Sequence, residues 1–207
     1  MFFLQKPSQE TITQLLVQQN RLPLNYPEVG ATLTDPPAGY NVDHNQVLLG
    51  KGSETWQLAK EALQSWQHFN IAWLKLVPST VPVEEGQVVA VLTKVLGAFW
   101  SLTPCRLVYV REEEDEQSSR FGFAWGALPG HAAKGEERFL VEWNYKTDEV
   151  RYDVLAFSLP DHWLAHLGYY YVRYLQQKFG RDTKQAMVET IQKKLTSARG
   201  AVNVASS

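Results

Sequence analysis

His131, Glu136, Glu137 and Arg138 form the densest gathering of chemistry-bearing side chains in this chain. The imidazole follows Pro129-Gly130, a loop setting in which a histidine can titrate near neutral pH. Glu136 and Glu137 are adjacent, so on a strand they point to opposite sides, and one of them can share a pocket with His131. With Arg138 beside them the group has the parts for acid–base work or for clamping a carboxylate. An ion-paired strand connection explains the same residues without chemistry, and it is the preferred reading.

The remaining candidates carry less. His162 and His166 stand four apart, a metal-ligand spacing on a helix, but they have no third ligand and no intervening glutamate, so no metal is assigned. His44 sits in a strand pattern, and His68 closes a helix where a positive charge suits the dipole. Asp43-x-Asn45 is too short for a calcium loop. Gly50-x-Gly52 before a helix hints at an anion site, yet the spacing fits neither a phosphate loop nor a dinucleotide fingerprint; a turn followed by Ser53 as N-cap accounts for it. Cys105 has no motif partner and reads as a buried, inert thiol. No nucleophile elbow is present, and no cofactor is expected.

These side chains hang on Phe121 to Trp143. Phe121, Phe123 and Trp125 alternate with Gly122, Ala124 and Gly126, giving one aromatic face and one nearly bare face against which something large must pack closely. Either face could be the inner one. Upstream, Ser8 opens a helix to about Gln19, and a Pro-rich strap follows, with Leu24, Tyr26, Val29 and Leu33 as apolar anchors. A strand from Asn41 to Leu49 and a helix from Ser53 to about His68 come next. Six more strands are expected near 71–77, 87–94, 105–111, 120–127, 137–145 and 149–157, with the acidic run Glu112 to Glu116 as one of the turns. A C-terminal helical region carries Tyr170, Tyr171 and Tyr174, with Gly180 as a break or C-cap.

This order predicts an α+β, helix-grip fold: a curved antiparallel sheet of about seven strands around a long C-terminal helix. Residues 1–40 form the N-terminal helix and strap, 41–196 the helix-grip domain and 197–207 a flexible tail. The space between sheet and helix is either core or cavity. If it is a cavity, Phe121, Phe123, Trp125, Tyr170, Tyr171 and Tyr174 are its expected ligand-binding residues.

The composition agrees. Of 207 residues, 12% are aromatic, with seven Trp and nine Tyr, which suits a core that surrounds a ligand. A formal net charge of -2 gives no global attraction to nucleic acid. One cysteine cannot form an intrachain disulfide, and no apolar run approaches the length of a membrane span, so a cytoplasmic soluble protein is expected.

Several blocks in one order, Tyr26-Pro-Glu-Val-Gly-Ala-Thr32, Leu49-Gly-Lys-Gly52, Phe121-Gly-Phe123, Leu128-Pro-Gly-His131, Gly135-Glu-Glu-Arg-Phe139 and Ala156-Phe-Ser158, resemble the domain-of-unknown-function family DUF1990. The likeness runs from about Phe3 to Met187. This chain departs from the family pattern at Trp125-Gly126-Ala127, where Tyr-Gly-Thr is usual, and at Leu159, where Arg is usual. The element order of that family is similar to the START and birch-pollen-allergen superfamily of hydrophobic-ligand binders, which implies ligand binding and no particular reaction. Three functions are therefore weighed: a binder of a small apolar or amphipathic molecule, first; an enzyme using His131 with Glu136 or Glu137 as acid and base and Arg138 as anion clamp; and an interaction module built on the strap and the basic C-terminal segment.

Overall fold

The computed structural model describes residues 1–95, 97, 99–161 and 169–205, with side chains throughout except at 169 and 198–205. His162 and His166, and the helical positions Trp163, Leu164 and Leu167, lie outside the described residues.

Eight strands form one antiparallel sheet: β1 (Phe2–Phe3), β2 (Asn41–Lys51), β3 (Leu74–Val77), β4 (Val88–Val95), β5 (Phe99–Glu114), β6 (Ser118–Ala127), β7 (Ala133–Asn144) and β8 (Glu149–Pro160). Seven follow the order β2-β8-β7-β6-β5-β4-β3, and β1 pairs with β5. From β3 to β8 each neighbour in sequence is a neighbour in space, as hairpin connections dictate. The break is at β2, which crosses to the far edge through helix α2 (Gly52–Gln64). Register shifts at Leu48/Gly50 and Leu107/Tyr109 are bulges, which bend strands and help the sheet curl. Inside the curl lie α2 and α3 (Tyr169–Ala205), and the architecture is a helix-grip.

The apolar periodicity explains what is buried. Trp56 and Leu63 of α2 and Met187 and Ile191 of α3 pack on Phe123, Phe139 and Tyr152 of the concave face. A second cluster on the opposite face joins Ile12 of α1 (Gln9–Gln19) to Ala90, Leu92 and Leu102. Ser8 caps α1, its hydroxyl accepting the Thr11 N–H at 3.1 Å.

The aromatic row Phe121, Phe123 and Trp125 therefore faces inward. The bare row faces out, where the strap crosses it: a Cβ on Gly126 would stand 2.3 Å from the Tyr26 hydroxyl. That contact is the large neighbour the bare face required. Asn25 N–H also binds the Ala127 carbonyl at 3.0 Å, fixing the strap to the end of β6.

Five local expectations are corrected. β5 runs on through Glu112, Glu113 and Glu114, so the turn is shorter than the acidic run; Asp115 makes it by accepting the Gln117 and Ser118 N–H groups at 2.7 and 2.8 Å. β7 begins at Ala133, because the Leu128–His131 turn closes early, so Glu136 belongs to the strand and not to the connection. The second helix starts at Gly52, ahead of Ser53, with the Gly52 N–H bound to the Asp148 carbonyl. Gly180 does not break α3, since one glycine costs a helix only about 1 kcal/mol and this one sits against Asn45 of β2. His68 lies past the end of α2 in a short 3-10 turn and is fully buried, so it is not a cation at a helix terminus.

Candidate functional site

Between the concave face and α3 lies a cavity of about 580 Å³. Its walls are mainly apolar: Phe69, Trp125, Val154, Ala156, Leu175 and Phe179 are among them. Of the six aromatics expected to bind ligand, Trp125 and Tyr171 line it. Phe121 and Phe123 share the inner face but are covered, Phe121 by Lys60 and Phe123 by Trp66 at 5.0 Å between ring centroids. Tyr170 and Tyr174 turn away, 88% and 51% exposed, because their helix positions point outside the arc that faces the sheet. The arc is instead Tyr171, Leu175 and Phe179, spaced four apart. That spacing was present in the sequence, hidden beneath the denser tyrosine cluster.

Glu136, Glu137 and Arg138 separate by strand alternation. Glu136 points to the convex face, where it holds the strap. Its carboxylate accepts the Tyr26 hydroxyl at 2.6 Å, the Gly30 N–H at 2.7 Å, the Thr32 N–H at 3.0 Å and the Thr32 hydroxyl at 2.5 Å. Since the Thr32 hydroxyl spends its proton on Glu136, the Tyr109 hydroxyl must donate to it, at 2.8 Å. Burial and the Glu136 carboxylate both push the Tyr26 phenol far upward, so it stays a donor. Arg138 leaves on the same face, donating to the Thr32 carbonyl at 2.9 Å and to Asp153 at 2.8 Å. Two of the sequence blocks, 26–32 and 135–139, thus meet as a clasp. Gly135 is part of it: at φ +135° a Cβ would lie 2.0 Å from the Phe157 carbonyl oxygen, so β7 and β8 can close here only around glycine.

Glu137 goes the other way, into the cavity. It accepts one hydrogen bond, from Trp125 Nε1 at 3.2 Å, and has no other among the described residues. Burial, and then the charge of Asp43, push it up to about 8, against the pull of the Trp125 donor. The same burial favours the protonated carboxyl over the carboxylate. His131 also lines the cavity. Its Nδ1 accepts the Ala133 N–H at 3.0 Å, which fixes the neutral tautomer with the proton on Nε2. Burial, followed by the nearby Met1 amino group, lowers it to about 4.

The structure thus brings His131 and Glu137 to one cavity, while Glu136, which also borders it, turns its carboxylate to the strap, and Arg138 lies on that opposite face. The three-part catalytic constellation is not assembled. No group of three or more metal-binding side chains forms among the described residues.

Glu137 makes a pH prediction. Its folded value lies above the free carboxylate's 4.5, so its contribution to stability is fully present below about pH 4.5 and is lost as pH rises through about 8. Allowing for water entering the cavity, the loss is about 2–4 kcal/mol. Denaturant melts from pH 5 to 9 should show Glu137→Gln losing less stability than the wild type by that amount.

Among the described residues no helix is long and apolar enough to cross a membrane. The family model described as "Domain of unknown function (DUF1990)" matches residues 25–186. A UPF0548 protein of Dictyostelium discoideum is 34% identical over 208 residues, covering 92% of this chain and 96% of its own. One of Arabidopsis thaliana is 36% identical over 155 residues, covering 74% of each. Among solved structures, human STARD10 superposes with a TM-score of 0.43 at 9% identity, over 95% of this chain and 86% of its own. Ara h 8.0201 does so with a TM-score of 0.40 at 10% identity, over 73% and 99%. At such scores the architecture rests on the sheet and helix described above, and the family on the sequence match: the chain belongs to the DUF1990 family.

Proposed function

We propose that this protein binds a small apolar or amphipathic molecule in the cavity between its sheet and α3, without chemistry of its own, in the cytoplasm. The observation that carries this reading is the cavity itself: about 580 Å³, within the range that holds a small organic ligand and lined mostly by apolar side chains. A protein interior otherwise closes such a space, since an empty apolar cavity destabilises in proportion to its volume. The clasp supports the same reading, because it engages Glu136 and Arg138, the carboxylate and the anion clamp on which the enzyme alternative draws.

Native mass spectrometry of protein purified without denaturation should show a co-purifying small molecule. Nile red should light up on binding, and Ala156→Trp, which places an indole in the cavity from β8, should weaken that binding at least tenfold, by a fluorescence titration. Unchanged dye affinity in a folded Ala156→Trp protein would show that the cavity is not the site.

A further inference from the structure

Glu137 is the feature that the binding reading leaves unused. On the inward row of β7 it stands between Gly135 and Phe139, with Trp125 opposite it on β6 and Ala156 opposite it on β8. The small Ala156 leaves room beside the carboxyl. Trp125 Nε1 satisfies one acceptor position, and Glu137 has no further hydrogen bond among the described residues. Among the described residues no lysine or arginine pairs with it. Among the described residues Lys134 is the one lysine or arginine in the lining, and strand alternation starts its side chain from the opposite face, that of Glu136 and Arg138. The acidic Asp43 is engaged by both terminal nitrogens of Arg173, at 2.6 and 2.7 Å.

A polar group placed in an apolar cavity with most of its bonding capacity unmet is costly unless a ligand meets it. An anionic head would face an acid and, among the described residues, no lysine or arginine on the Glu137 side of the strand. A neutral head would complete the site.

We propose that the cavity selects uncharged amphiphiles, molecules with an apolar body and a neutral carbonyl or hydroxyl, and that Glu137, oriented by Trp125, is the residue that recognises this group. The carboxyl O–H donates to the ligand oxygen, and a ligand hydroxyl can return its proton to the second carboxyl oxygen. The elevated proton affinity of Glu137 agrees, since it keeps that donor in place at neutral pH. His131, neutral and carrying its proton on Nε2, offers a second uncharged donor along the same cavity.

This inference rests on the cavity being a binding site, and one set of probes separates the two. The full-length protein is titrated at pH 7 with decane, 2-decanone, 1-decanol and decanoate, followed by the fluorescence of Trp73 and Trp125, both in the lining. The ketone and the alcohol should bind at least about tenfold tighter than decanoate. Glu137→Leu should lose about tenfold for the ketone and nothing for decane, while Glu137→Gln, which keeps a neutral donor, should hold the ketone within about threefold. Circular dichroism confirms that each variant is folded, and the glutamine variant carries the test if the leucine one is not. Decanoate binding as tightly as the alcohol, ketone affinity unchanged in Glu137→Leu, or Glu137→Gln losing ketone binding would overturn the recognition role while leaving the cavity reading intact. Failure of all four probes to bind would overturn both.

Discussion

Glu136→Ala should destabilise the protein by about 3–5 kcal/mol and release the strap. Glu136 is 3% exposed, and its carboxylate accepts four hydrogen bonds, from Tyr26, Gly30 and two from Thr32. Truncation leaves the hydroxyl of Tyr26, a residue 4% exposed, and Thr32, at 0%, without their acceptor in an interior that water reaches poorly. Each orphaned donor costs about 1–3 kcal/mol, and the losses are coupled because all sit on one clasp. Arg138 would keep Asp153 and the Thr32 carbonyl, so β7 itself should hold. The expected result is a lower denaturant midpoint together with new proteolytic cleavage between 22 and 39, while the cavity still takes up Nile red. Glu136→Gln should fall short of rescue, because an amide has one acceptor oxygen where the carboxylate has two. Wild-type stability in Glu136→Ala would mean that the strap is held by its apolar anchors alone.

The second large effect belongs to His68. It is 0% exposed, stacked among Trp66, Phe69, Phe123 and Phe139, with ring centroids 4.7–5.8 Å away. Among the described residues neither ring nitrogen has a hydrogen-bond partner, while its backbone carbonyl accepts the Thr183 hydroxyl at 2.9 Å. Tyr152 is the titratable neighbour in its ring shell. Burial lowers His68 to about 3 from its ordinary 6.5. The unfolded chain therefore binds a proton below pH 6.5 that the folded chain refuses, and stability falls as pH falls from 6.5 toward 3. By pH 4 this amounts to about 3 kcal/mol. His131, lowered to about 4, acts in the same direction, so the wild type should be markedly acid-labile. His68→Phe removes both orphan nitrogens and the proton site while keeping a flat ring. It should match or exceed wild-type stability at pH 7 and lose about 3 kcal/mol less between pH 7 and 4, measured by urea melts at each pH. Parallel pH profiles for the two proteins would show that His68 is not the acid-labile group.

The sequence by itself determined the class of fold, the seven main strands in nearly their observed places, the order that makes a helix-grip, and the need for something large against Gly122, Ala124 and Gly126. These are local matters: period-two alternation, turn residues and helix spacing act over a few positions, and hairpins pair neighbours. Adjacent Glu136 and Glu137 also had to part, whichever way the strand faced. Only the tertiary structure decided which went inside. That choice depended on Tyr26, Gly30 and Thr32, about a hundred residues away in sequence, arriving over Gly126 to take Glu136. Once they did, alternation sent Arg138 outward with it and left Glu137 beside Trp125 in the cavity. His68 shows the same limit, since nothing in its neighbours along the chain reveals that strands β6, β7 and β8 close over it. Chemistry-bearing residues could be found by type and spacing; the role of each was set by long-range packing, which assigned the conspicuous cluster to a structural clasp and one of its carboxyls to the cavity.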